Sequence, residues 1–245
     1  MNKRPVIGIT LDWAAGKQGC FSRRPHYALR VDYFAAVYAA GGLPVAIPHI
    51  ETALSAYLDT IDGLLAPGGD FPFPESWYES GASPYLASVS QRAAFDARLI
   101  EAAVNRDLPL LGICAGMQAL GAVFGCRLHG DIRRAVTSEI EHRHPQPAHY
   151  SHPVRIIPDT RLRAIIGADE IGVNSAHREM ISRTAAGVTV NAVAPDGVIE
   201  GIEIAGRHFA LGVEWHPEYF IEDNSPHLAL LKAFVDAARG FFNYV

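Results

Sequence analysis

The chain predicts an α/β fold: an open, mostly parallel central sheet flanked by helices, with an additional antiparallel portion in the C-terminal half. Apolar runs alternate with helical periodicity as far as Arg127, the pattern of parallel strands joined by crossover helices. Beyond Arg127 the apolar runs follow one another closely, as antiparallel neighbours do. Two motifs rich in chemistry stand where apolar runs end, which is where open α/β sheets place their sites.

The first strand is expected at Val6 to Thr10 and a helix from about His26 to Ala40, with Tyr27, Val31, Phe34 and Tyr38 on its apolar face. Gly41-Gly42 stops that helix before a strand at Val45 to Pro48. Strands follow at Ile61 to Ala66 and Leu108 to Ile113, separated by a long helix on which Ala93, Ala97, Ile100 and Val104 share a face. A helix is expected to start at Ala115. The antiparallel portion reads as strands near Val154 to Ile157, Val188 to Val193, Val198 to Ile204 and Phe209 to Val213, and a helix from Pro226 to Phe241 closes the chain.

With 245 residues and 49% apolar composition, the chain can bury one large core, so residues 1–245 are read as a single domain. A formal net charge of −5 and the lack of a basic run argue against nucleic acid or an anionic membrane as partner. No signal segment and no apolar run of membrane length is evident. The three cysteines, Cys20, Cys114 and Cys126, form no paired framework, as expected of a cytoplasmic protein.

Cys114 lies in Leu110-Leu111-Gly112-Ile113-Cys114-Ala115-Gly116, where a buried strand meets a helix start. A sharp turn there exposes its central side chain, and Gly112 and Gly116 let neighbouring backbone pass close. Free N–H groups at the helix start favour a thiolate. On this motif alone, a nucleophile and a buried apolar thiol both remain open readings. The stretch Val213-Glu214-Trp215-His216-Pro217-Glu218 supplies a base and an orienter, because side chains two apart on extended backbone face the same way. His216 and Glu218 thereby complete a Cys-His-Glu set. Gly68 or Gly69 of Pro67-Gly68-Gly69-Asp70, with the Ala115 N–H, would make an oxyanion hole.

Gly112 to Gln118 and Val213 to Glu218 resemble the corresponding motifs of class I glutamine amidotransferases. The resemblance is strongest to the γ-glutamyl-γ-aminobutyrate hydrolase branch, peptidase family C26, and spans nearly the whole chain through Pro5 to Thr10, Tyr33 to Pro44, Leu64 to Asp70 and Val173 to His177. It implies a flavodoxin-like class I amidotransferase fold and hydrolysis of a γ-glutamyl amide through a γ-glutamyl thioester on Cys114, releasing glutamate and an amine. It implies substrate contacts by Gln118, Asn174, Ser175 and His177, needs no cofactor, and points to polyamine-derived γ-glutamyl compounds. The expected partner is a small-molecule γ-glutamyl substrate, with a homodimer left open.

Three positions depart from that branch: Ala115 and Ala93 replace an Arg and an Asp, and Glu179 stands where Gln is expected, which opens the question of substrate. Two other functions compete: a glutaminase subunit delivering ammonia to a separate synthase, and a non-catalytic binding protein. The aromatic, proline-rich loop from Phe71 through Tyr78 to Ser83-Pro84-Tyr85 either walls the pocket or forms a surface or dimer contact. His142, His144, His149 and His152 invite a metal reading, but no local spacing makes them converge, and no metal is expected.

Overall fold

The computed structural model describes residues 3–19, 21–83, 90–144 and 148–241. Cys20, Pro84 and Tyr85 lie outside the described residues. The N-terminal half runs β1 (Val6–Thr10), β2 (Asp12–Ala14), β3 (His26–Ala28), α1 (Val31–Ala39), β4 (Leu43–Ile47), α2 (Leu54–Thr60), β5 (Gly63–Ala66), α3 (Gln91–Asn105), β6 (Leu110–Ile113) and α4 (Ala115–Val123). There follow β7 (Arg127–His129), α5 (Ile132–Ala135), β8 (His152–Ile156), α6 (Arg161–Ile166), β9 (Glu170–Val173) and β10 (Met180–Arg183). The chain then continues through β11 (Val188–Val193), β12 (Ile199–Ile204), β13 (Ala210–Val213) and α7 (Pro226–Phe241).

A nine-stranded sheet carries the order β4-β1-β5-β6-β13-β12-β11-β8-β9. Its first five strands are parallel, and β12, β11, β8 and β9 each run antiparallel to the preceding neighbour. The expected α/β architecture and its antiparallel extension are thus both present. β5, β6 and β13 are buried along their full length, which is why they read as continuous apolar runs. Among the described residues no helix is long and apolar enough to cross a membrane.

Two readings need correction. His26 to Ala28 is not helical but pairs antiparallel with Asp12 to Ala14, and α1 starts at Val31 after an extended Arg30. The expected apolar face is also rotated: Tyr33, Ala36 and Val37 are buried, whereas Val31 is 76% and Tyr38 56% exposed. The pattern reading also missed β9 and β10, which are short, interrupted by polar residues, and declared by their neighbours rather than by period.

Register positions the site. β5 and β6 pair Ala66 with Gly112, and β6 and β13 pair Ile113 with Val213. The carboxyl ends of three adjacent strands therefore bring Pro67-Gly68-Gly69, Cys114 and the Glu214 to Glu218 stretch side by side. The Cys114 N–H donates to the Val213 carbonyl at 2.8 Å, tying two of these ends together.

Candidate active site

Cys114 sits between β6 and α4 with φ 51° and ψ −112°, a left-handed backbone that L-residues rarely adopt. Close packing enforces the turn: a Cβ on Gly116 would lie 1.9 Å from the Ala66 carbonyl oxygen, and one on Gly112 would lie 2.7 Å from the Gly116 carbonyl. The flanking glycines thus let α4 pack onto the ends of β5 and β6. Burial pushes the Cys114 thiol well above its ordinary range, Glu214 adds to the rise, and the Ala115 N–H opposes it. Burial and Glu214 thus work against the thiolate that the helix start favours.

His216 Nδ1 lies 2.8 Å from Glu218 Oε1, and both side chains are buried. A carboxylate on Nδ1 fixes the tautomer and leaves Nε2 to exchange protons. His216 Cε1 and Cys114 Cβ flank one point: a Cβ on Gly68 would lie 2.8 Å from the first and 3.3 Å from the second. Asn174 holds this histidine by its backbone, accepting the His216 N–H at 2.8 Å and donating to its carbonyl at 3.1 Å.

Tyr33 reaches the same place from α1, its hydroxyl accepting the Gly68 N–H at 3.0 Å and lying 3.4 Å from His216 Nδ1. The Gly68 N–H is thereby committed, while Gly69 lines the same cleft as Cys114 and the Ala115 N–H reaches the sulfur. Arg92, buried on α3, donates to the Gly68 carbonyl at 3.0 Å and to the Pro67 carbonyl. Its charge is balanced by Asp96 at 3.1 Å and by Asp12. Arg92 thereby fixes the two peptide carbonyls at Pro67 and Gly68. Tyr33 and Arg92 carry no local motif, so sequence reasoning missed both roles.

A cleft of about 420 Å³ including its mouth opens on Cys114, a size suited to a small molecule. Gln118 and His177 line it, as do Phe71 and Phe73 of the aromatic loop. Asn174 and Ser175 do not: both are fully buried behind the wall, Asn174 on His216 and Ser175 donating to the His142 carbonyl at 2.8 Å. Gln118 donates to Glu214 at 2.7 Å, and burial raises the Glu214 carboxyl to about 7. Glu179 accepts the Tyr78 hydroxyl at 2.6 Å, a donor that a carboxylate at this position suits. Ala115, the first residue of α4, is buried.

His142 and His152, which the sequence left unconnected, converge: their ring centres are 4.8 Å apart, and Glu200 of β12 lies between them. The ground on which a metal was set aside, lack of convergence, does not hold for these two. His149 is exposed and takes no part, and His144 is outside the group.

This sheet order, with cysteine, histidine and glycine-rich loops at adjoining strand ends, is that of the class I amidotransferase-like proteins. A solved chain from Thermoplasma acidophilum, named "putative gmp synthase subunit a protein", superposes with a TM-score of 0.63 at 16% identity, covering 100% of this chain and 98% of that one. The chain belongs to the peptidase C26 family, a hydrolase family whose model matches residues 5–218. It is 30% identical to the γ-glutamyl-γ-aminobutyrate hydrolase of Escherichia coli K12 over 249 residues, 96% of this chain and 94% of that protein. It is also 30% identical over 280 residues to a Rickettsia prowazekii protein named "Putative glutamine amidotransferase-like protein", covering 98% of this chain and 99% of that one.

Proposed function

We propose that this chain hydrolyses γ-glutamyl amides of the γ-glutamyl-γ-aminobutyrate kind, with Cys114 as nucleophile, His216 as proton carrier and Glu218 as its orienter. The observation that carries this reading is the strained Cys114 turn facing a buried His216–Glu218 pair beside the Gly69 and Ala115 amides. His216 takes the thiol proton as the sulfur attacks the γ-carbonyl, and the two amides hold the oxyanion. Collapse expels the amine with a proton from His216, leaving a thioester. His216 then deprotonates water, which attacks the thioester; the second collapse releases glutamate and returns the proton to sulfur. None of these steps calls on a cofactor.

The cleft also carries both signs of charge, Arg143 and Arg178 against Glu179 and Asp70, as the zwitterionic head of a glutamyl group requires. The aromatic walls Phe71 and Phe73 suit the methylenes of that group.

The test is a panel of γ-glutamyl amides, glutamine included, given to the purified chain, with mass detection of an acyl adduct on Cys114. Turnover and an adduct of glutamyl mass are expected, and Cys114→Ala abolishes both while leaving the fold intact. A wild-type chain inert to every member would overturn the proposal. Glutamine turnover only after adding a partner protein would instead indicate the glutaminase-subunit role.

A further inference from the structure

Behind the cleft wall, four buried side chains present unpaired atoms to one another. His142 Nδ1, His152 Nε2, His177 Nε2 and both Glu200 oxygens are inaccessible to solvent and lack a hydrogen-bond partner in the structure. Glu200 Oε1 lies 3.3 Å from His142 Nδ1, 3.7 Å from His152 Nε2 and 3.5 Å from His177 Nε2. A ligand atom each from His142, His152 and Glu200 falls within a 4.8 Å span. A fully buried carboxylate is costly unless a cation lies within reach, so positive charge belongs here.

Protons on the imidazoles are one candidate cation, but the distances disfavour them. Charge-assisted N–H···O bonds run at about 2.7–2.9 Å, shorter than all three contacts. A tetrahedron built on metal–nitrogen bonds of about 2.0–2.1 Å has edges of roughly 3.3 Å, and the contacts of Glu200 with His142 and His152, at 3.3 and 3.7 Å, are of that size. The outward nitrogens point the same way. His142 Nε2 lies 3.0 Å from Asp196 Oδ2, His152 Nδ1 3.1 Å from the Pro153 carbonyl, and His177 Nδ1 2.9 Å from the Glu179 carbonyl. In a neutral ring each acceptor would take the proton of the outer nitrogen and turn a lone pair inward, which is how metal-bound histidines are held. Asp196 is itself fixed by the Val198 N–H at 3.3 Å.

We propose that His142, His152 and Glu200 form a binding site for a divalent zinc-class cation, with His177 Nε2 beside it, 3.5 Å from Glu200. Two imidazoles and one carboxylate without thiolate select zinc or cobalt over calcium or magnesium. The ligands come from three separated parts of the chain: the segment before β8, the start of β8, and β12. The ion would clamp the antiparallel extension to the cleft wall. Its role is structural: His177 also lines the cleft, and its neighbour Asn174 holds His216.

The site is tested without substrate, so its outcome is separate from that of the hydrolase proposal. Protein purified without metal-affinity resin is incubated with equimolar zinc, desalted and analysed by mass spectrometry for metal. Stoichiometric zinc is expected, with a rise in Tm of several degrees that a chelator reverses. Cobalt loading should give the visible d–d bands of a four-coordinate ion. Glu200→Gln and His152→Ala should retain less than a tenth of the metal, whereas His149→Ala, altered at an exposed histidine, should retain it fully. A wild-type chain that keeps neither zinc nor cobalt would overturn the site without any variant, as would undiminished binding by Glu200→Gln.

Discussion

Asn174 grips His216 through both backbone groups, one hydrogen bond in each direction, although 42 residues separate them. The side chain expected to meet substrate instead places the base. Asn174→Ala should therefore lower kcat by roughly 100-fold, the cost of a misplacement of about 1 Å, with KM nearly unchanged. Steady-state kinetics of the variant decide this, and a rise in KM alone would return Asn174 to the substrate.

Cys114 should behave as a buried thiol in the free protein, since burial holds its ionisation above the ordinary range. Alkylation by iodoacetamide should be slow at neutral pH and climb steadily with pH, because only the scarce thiolate reacts. The sign follows from a raised acid: the proton is retained through neutrality and lost only in alkali. A plateau in the rate near pH 6–7 would contradict this.

Arg92 braces two consecutive carbonyls of the oxyanion loop. Arg92→Met leaves Asp96 buried without its partner and should cost about 3–5 kcal/mol in chemical denaturation. Arg92→Lys keeps the charge but not the fork, so the fold should survive while kcat falls about 10²-fold, the scale of losing one oxyanion donor.

Gly116→Ala would force a Cβ against the Ala66 carbonyl, a backbone atom with no freedom to give. The expected result is loss of about 1–3 kcal/mol and displacement of the Cys114 turn. Thermal unfolding and the rate of Cys114 alkylation measured together test both effects.

His227 lies among the rings of Trp215, Phe220 and Tyr150, and burial lowers its pKa from 6.5 to about 4. The unfolded chain binds this proton more readily, so stability is complete above pH 6.5 and is lost as pH falls toward 4. The loss amounts to about 3 kcal/mol at most. His227→Phe should flatten the stability curve across that window, as followed by urea titration at several pH values.

The sequence alone determined the sheet class and singled out three candidate residues, of which the structure joins His216 to Glu218. Cys114, His216 and Glu218 stand at the ends of uninterrupted apolar strands, where short-range patterning and local chemistry coincide. Its errors came where local pattern competes with packing. Tyr27 and Val31 have helical spacing, yet an extended Arg30 and pairing with β2 give the first of them to a strand.

Only the tertiary structure decided what polar residues inside apolar runs are for. Tyr33 meets His216 across 183 residues, Arg92 reaches back to Gly68, and Glu200 gathers histidines from three other segments. The physical reason is that a buried polar group takes its meaning from its partners. Periodicity reports which face of an element is dry, whereas the identity of the partner is set by strand order and register across the sheet.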